Sequence, residues 1–189
     1  MNLNFNQSII KINGEVFEIL IDESTILKRV AELGAEISRD YEGSVPIFIG
    51  VLNGSIIFFA DLIRNISINC EVDFLKLSSY GDAKISSGNV KLIKELNADI
   101  KDRDVIIVED IVDTGLSIDY MKNLILIQQP KSIKVATLLH KPSATKYDIK
   151  LDYIGFQIPN KFVIGYGLDH TQKYRNLRSI YALKSENGE

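Results

Sequence analysis

The chain has 189 residues, 46% of them apolar and 25% charged, the balance of one well-buried globular domain and not of a disordered tail or a fibre. A net charge of −3 and a pI near 5.5 argue against a general nucleic-acid binder, which needs a basic face, yet leave room for a small basic pocket holding one phosphorylated metabolite. With Cys70 as its single cysteine, the chain forms neither an intrachain disulfide nor a cysteine-built zinc site. Ile68, Val72 and Phe74 around Cys70 make it read as a strand residue filling core space. No apolar run approaches the roughly 18 residues of a membrane span. Asn2, Asn4, Asn6 and Gln7 interrupt the start, where a signal peptide would be apolar, and no lipidation cysteine stands at the end. The expectation is a cytoplasmic protein with no membrane partner.

In chain order, Val16 to Ile21 reads as a strand. Asp22 or Ser24 then caps a helix on which Ile26, Val30, Leu33 and Ile37 share one face, and Tyr41-Glu42-Gly43 ends it. Ile47 to Leu52 is almost wholly apolar, as in a strand buried on both faces of a parallel sheet. Asn53-Gly54-Ser55 breaks it, and Ile56 to Ile66 continues as a short buried helix. Glu71 to Leu77 is a strand of mixed faces. Residues 78–89 are polar and without apolar period, about a dozen in a row, which is the length and character of a lid loop. Val90 to Leu96 resumes as a strand. Asp104 to Val108 is buried strand, Glu109 to Gly115 loop, and Ser117 to Gln128 helix, stopped by Pro130. Ile133 to Leu139 is the next strand, and short strands flank a loop from Pro159 to Arg178. Alternating strands and helices give an α/β fold with a mostly parallel sheet flanked by helices. Residues 1–189 read as a single domain with its core over about 15–183.

The most informative segment runs Val105-Ile-Ile-Val-Glu109-Asp110-Ile-Val-Asp113-Thr114-Gly115-Leu116-Ser117. An apolar strand leads into two adjacent acids, a third acid follows, and Thr, Gly and Ser open a helix. Neighbouring side chains of a strand point to opposite faces. Glu109 and Asp110 therefore serve one ligand only if the strand has ended before them. Carboxyl ends of strands in open α/β sheets are where ligands bind, and a helix start suits a phosphate. The loop so combines carboxylates for hydroxyls or Mg²⁺ with amides for phosphate, the two needs of a ribose 5-phosphate. An ordinary helix cap with solvated acids would use the same residues.

Val108 to Ser117 resembles the phosphoribosyl-diphosphate signature of the type I phosphoribosyltransferases, and its Asp113-Thr114-Gly115 form resembles the hypoxanthine-guanine branch of that family. Four further segments match in the expected order. Gly50-Val-Leu52-Asn53-Gly54-Ser55 resembles the diphosphate loop with its cis peptide, here between Leu52 and Asn53; the alternative for Asn-Gly alone is a plain turn. Ser78-Ser79-Tyr80-Gly81 resembles the start of the catalytic lid, implying that Ser79 and Tyr80 close over the diphosphate. Leu138-Leu-His140-Lys141 resembles the strand end whose Lys donates to the purine 6-oxo group; His140 itself reads as structural. Pro159 to Asp169 resembles the purine loop, implying that Phe162 stacks on the base and Val163 bonds its edge through backbone. By the same resemblance Asp169 borders the purine and holds Mg²⁺, and Arg175 reaches the diphosphate. Asn53 and Leu116 stand where some relatives carry Lys.

The resemblance implies a type I phosphoribosyltransferase fold with a small hood and a flexible lid at residues 78–89. It implies Mg²⁺ as cofactor, held with Glu109, Asp110 and Asp169, and a homodimer or homotetramer. The reaction implied is transfer of phosphoribosyl from its diphosphate to N9 of hypoxanthine or guanine. Asp113 then takes a purine proton, while residues 109–117 hold the ribose phosphate and residues 52–55 the diphosphate. Two alternatives stay open on the same fold: a pyrimidine-type enzyme and a non-catalytic nucleotide-sensing regulator.

Overall fold

In the computed structural model, residues 7–79, 90–94 and 96–184 are described. Strands β1 (Ile9–Ile12) and β2 (Glu15–Ile21) form an antiparallel hairpin, with Ile10 opposite Phe17. Helix α1 (Glu23–Asp40) follows at once. Asp22 caps it, accepting a hydrogen bond from the Thr25 amide at 3.0 Å. The Ser24 hydroxyl, together with the Thr25 amide and hydroxyl, holds its carboxyl below the usual aspartate range. The helical period of Ile26, Val30, Leu33 and Ile37 puts all four on one fully buried face. Each such side chain contributes about 1.5–3 kcal/mol by leaving water, so the stripe and not the cap carries the helix.

The main sheet is built from β3 (Ile47–Leu52), β4 (Glu71–Ser79), β5 (Val90–Lys94), β6 (Asp104–Val112), β7 (Ser132–His140) and β8 (Tyr153–Gln157), in the order β5-β4-β3-β6-β7-β8. All neighbours are parallel except the β4–β5 pair. Helix α2 (Ile56–Arg64) links β3 to β4, and α3 (Leu116–Leu126) links β6 to β7. From β3 the chain moves outward to β4; from its other neighbour, β6, it moves the opposite way to β7. The connections after β3 and β6 therefore diverge, and a crevice opens between them at the carboxyl end of the sheet. A second sheet of β1, β2, β9 (Val163–Ile164) and β10 (Ile180–Leu183) runs in the order β1-β2-β10-β9 and forms a small hood. Ile21, α1, α2 and Tyr166 share one core with one face of the main sheet, while α3 and Ile100 cover the other face.

Several boundaries differ from the sequence reading, most of them by one or two residues. β6 does not end at Val108 but pairs with β7 without a break as far as Val112 opposite His140. The expected loop at 109–112 is therefore strand, because Ile111 and Val112 continue the apolar run. β4 extends to Ser79, paired with Val90, so Ser78 and Ser79 of the stretch expected as a lid are strand. Cys70 lies just before β4, half-buried against the α1–α2 core, and burial raises its thiol pKa. Among the described residues no helix is long and apolar enough to cross a membrane.

Candidate active site

The crevice brings three distant segments together. After β3 the Leu52–Asn53 peptide is cis, the geometry implied by the resemblance. Gly54 follows so close to β6 that a Cβ there would lie 1.8 Å from Asp110 Oδ2. A Cβ on Gly167, from the hood loop, would lie 2.1 Å from the Gly54 carbonyl oxygen. Only glycine permits this double approach, which stacks the β3 turn between Asp110 and the hood. Ser55 departs from its expected place in the diphosphate loop. It is fully buried, and both its hydroxyl (2.6 Å) and its amide (3.4 Å) donate to Val51 O. Leu52, Asn53 and Gly54 remain as the open part of the turn.

Glu109 and Asp110 are the last acids of β6, still within the strand. Their carboxyls nonetheless lie in hydrogen-bond reach of each other, so the expected condition that the strand end before them is not needed to bring them together. Asp110 is 8% exposed, and burial raises its carboxyl pKa against the help of hydrogen bonds and the Arg175 charge. Glu109 is pushed up well above the usual range, first by burial and then by the negative charge of Asp110. Its Oε2 is buried with no hydrogen-bond partner among the described residues. Two carboxylates that resist ionisation, one with an orphaned oxygen, suit an incoming cation or hydroxyl donors.

Beyond Val112 the chain turns into α3 with Gly115 at φ +92°, a left-handed conformation that glycine adopts without strain. Thr114 Oγ1 accepts from the Leu116 amide at 3.4 Å. The first amides of any helix lack intrahelical partners, and here Glu109, Asp113, Thr114, Gly115 and Ser117 line a cavity of about 80 Å³ in front of them. The 141–147 segment secures this turn. Lys141 N donates to Val112 O, Thr145 Oγ1 to Asp113 O and Lys146 N to Thr114 O, each at 2.9 Å.

Asp113 and Lys141 meet: Nζ donates to Asp113 Oδ2 at 3.0 Å, with the Lys side chain 8% exposed and the Asp 47% exposed. From the hood, Phe162 stands 45% exposed, held edge-on by Phe17 and His170 at centroid distances of 6.3 and 5.4 Å. Val163 is buried in β9 opposite Ala182. Asp169 Oδ1 pairs with Arg175 at 2.7 Å, and its Oδ2 accepts from the Gln172 amide at 2.8 Å. Arg175 also donates to Gly167 O. Ser79 closes β4, and Tyr80 with the rest of the lid stretch lies outside the described residues.

Comparisons with known proteins show the family. A family model described as a phosphoribosyl transferase domain matches residues 18–171. The chain is 48% identical over 170 residues to a hypoxanthine-guanine phosphoribosyltransferase of Bacillus subtilis, covering 90% of this chain and 94% of that protein. The chain belongs to the hypoxanthine-guanine branch of the phosphoribosyltransferase family. It is also 43% identical over 185 residues to the bifunctional protein TilS/HprT of Listeria monocytogenes, spanning 28% of that protein's length. A hypoxanthine phosphoribosyltransferase structure from Staphylococcus aureus superposes with a TM-score of 0.85 at 38% identity, over 98% of this chain and 99% of that one.

One contact beside the crevice escaped the sequence reading. Tyr166, buried and at φ +50°, donates its hydroxyl to Asp61 of α2 at 2.7 Å. Burial and the Asp61 acceptor push its phenol pKa far up, so it stays a donor. It ties the hood loop to the helix that begins just after the Leu52–Asn53 cis peptide. Nothing local marks Asp61 as its partner, since 105 residues separate the two.

Proposed function

We propose that the chain transfers the phosphoribosyl group of phosphoribosyl diphosphate to N9 of hypoxanthine or guanine, releasing diphosphate. The observation that carries this reading is the Asp113–Lys141 pair. It sets a carboxylate oxygen and an ammonium 3.0 Å apart at the ends of β6 and β7. A 6-oxopurine presents a ring nitrogen that must shed a proton beside an oxygen that accepts one. Asp113 takes the proton at N7 as N9 attacks C1 of the ribose, and Lys141 donates to the 6-oxo group. The exposed face of Phe162 stacks on the base, and the Val163 backbone bonds its edge.

As the ribose C1–O bond loosens, positive charge builds on the sugar. Glu109 and Asp110 orient the ribose hydroxyls, and residues 113–117 hold the 5-phosphate with amides and hydroxyls, since Leu116 supplies no charge. The turn at Leu52, Asn53 and Gly54, with Arg175, receives the diphosphate. Arg175 is already committed to Asp169 and Gly167, so its charge reaches the crevice from a fixed position.

Among the described residues no three His, Cys, Asp or Glu side chains gather to hold a metal by themselves. The Glu109–Asp110 pair with its orphaned Oε2 and, separately, Asp169 would each fit Mg²⁺, which typically takes one or two carboxylates and completes its shell from substrate oxygens. When bound, Mg²⁺ neutralises charge on the departing diphosphate. We further place the protein in the cytoplasm as a single-domain homodimer or homotetramer, on the strength of the family resemblance. Mg²⁺-dependent diphosphate release, measured with hypoxanthine, guanine, xanthine and uracil offered separately, tests the reading. Release with the 6-oxopurines and not with uracil supports it. Release with uracil alone indicates a pyrimidine enzyme, and none with any base indicates a sensor.

A further inference from the structure

We infer that Thr145, held by His140, is the positioning residue that sets the Asp113–Lys141 pair against the purine. The inference rests on the proposed roles of those two residues. Thr145 Oγ1 lies 2.9 Å from Asp113 O, 3.0 Å from Lys141 O and 3.1 Å from His140 Nε2. One hydroxyl thus links the backbones of both residues assigned to the purine edge. Of the three carbonyls that open the ribose-phosphate turn, those of Val112 and Thr114 are held by main-chain amides. Only the middle one, Asp113, depends on a side chain.

The hydrogens sort themselves. A threonine hydroxyl has a single proton, and carbonyl oxygens can only accept. Were His140 Nε2 to accept that proton, a bare hydroxyl oxygen would face two carbonyl oxygens within 3.0 Å. Nε2 therefore carries the hydrogen and donates to Thr145, whose own proton is left for the carbonyls. This tautomer leaves Nδ1 bare. Nδ1 is buried and has no partner among the described residues, so the imidazole gives up one hydrogen bond while serving Thr145. His140 also closes β7, with its carbonyl accepting from Ile158 N at 2.9 Å, which fixes the ring's origin.

Thr145→Val keeps the side-chain shape and removes the hydroxyl; Thr145→Ser restores it. Misplacing a reacting group by about 1 Å can cost about 100-fold, so Thr145→Val is expected to lower kcat/KM for hypoxanthine by about 10–100-fold. The KM for phosphoribosyl diphosphate should stay within about threefold of wild type, and Thr145→Ser should recover most of the loss. Wild-type hypoxanthine kinetics in Thr145→Val, equal losses on both substrates, or failure of Ser to rescue would each overturn the inference. Nitrogen-15 NMR of wild type gives a test that needs no variant, because the chain has only two histidines. Protonated Nε2 with bare Nδ1 on His140 supports the network, and the opposite tautomer overturns it. Asp113→Asn and Lys141→Ala, assayed alongside, separate the two levels. If both keep full hypoxanthine activity, the purine reading falls. If both are impaired and Thr145→Val is not, only the positioning role falls.

Discussion

Asp73 on β4 and Asp110 on β6 are almost equally buried, at 7% and 8% exposure, yet their surroundings are opposite. Asp73 accepts from the amides of Phe74, Asn97 and Ala98 at 2.7, 2.6 and 2.9 Å and pairs with Lys94 at 3.2 Å. Burial alone would raise its carboxyl pKa, but these bonds together hold it below the usual range. At Asp110 the hydrogen bonds, first among them the one with Glu109, and the Arg175 charge favour the carboxylate, yet burial outweighs them and its pKa rises. One site spends its charge on the fold, tying β4 to the segment after β5. The other is left harder to ionise, with less of its charge committed to the fold. Burial does not separate a structural acid from a binding one; the count of donors aimed at it does.

The sharpest extension of that contrast is Asp113, half-exposed and paired with one cation. If it takes the purine proton, Asp113→Asn should lower kcat by about 10²–10⁴, the usual worth of a positioned acid–base group, with the KM for phosphoribosyl diphosphate little changed. Steady-state rates decide it; a near-normal kcat removes Asp113 from that role.

Asp73→Ala should leave catalytic chemistry intact but strand several amides. With hydrogen bonds to a charged group worth roughly 1.5–3 kcal/mol, a loss of about 3 kcal/mol would lower Tm by about 6–12 °C in a chain of this size. The wild-type contribution has a definite sign: a depressed carboxyl stabilises above its unfolded pKa and loses that effect as pH falls through the folded one. Calorimetry showing no Tm change at neutral pH would dissolve the contrast with Asp110.

Lys141→Ala should reduce hypoxanthine kcat/KM by about 10–100-fold, the equivalent of one charge-assisted hydrogen bond, and scarcely alter a small adenine rate. Because the ammonium is already paired with Asp113, adenine does not leave it wholly unsatisfied. Its rejection should then fall short of the roughly 10⁴-fold that an unpaired ammonium and a mismatched ring nitrogen together would give. Competition between the two bases measures it, and equal use of adenine would defeat the assignment of Lys141.

The smallest effect belongs to Asp110→Asn in the ligand-free protein. A carboxyl with a raised pKa stabilises below its unfolded pKa and loses that contribution as pH rises through the folded one. The variant should therefore match wild type near pH 4 and exceed it in Tm by a few degrees at neutral pH, while its KM for phosphoribosyl diphosphate rises. A variant less stable than wild type at neutral pH would show that Asp110, like Asp73, serves the fold.

Much of this was legible in the residues because it depends on short-range pattern. The four-residue spacing of Ile26, Val30, Leu33 and Ile37 determines α1, the apolar runs at 47–52 and 104–108 determine central strands, and Asp113-Thr114-Gly115 marks a turn into a helix that starts within two residues of the expected position. The strand end at Val112 was not legible, since two adjacent acids followed by two apolar residues after Val108 are compatible with strand or loop until β7 supplies the pairing. Ser55 illustrates the same limit. Its neighbours suggest a ligand contact, and only the nearby Val51 carbonyl turns both donors inward. By itself the sequence determined the order of elements and the identity of the chemical groups, because periodicity and side-chain chemistry are local. Tertiary structure alone decided which acid is satisfied, how Gly54 fits between Asp110 and Gly167, and that Thr145 spans Asp113 and Lys141. Those outcomes depend on distances between segments up to about a hundred residues apart, which no local pattern encodes.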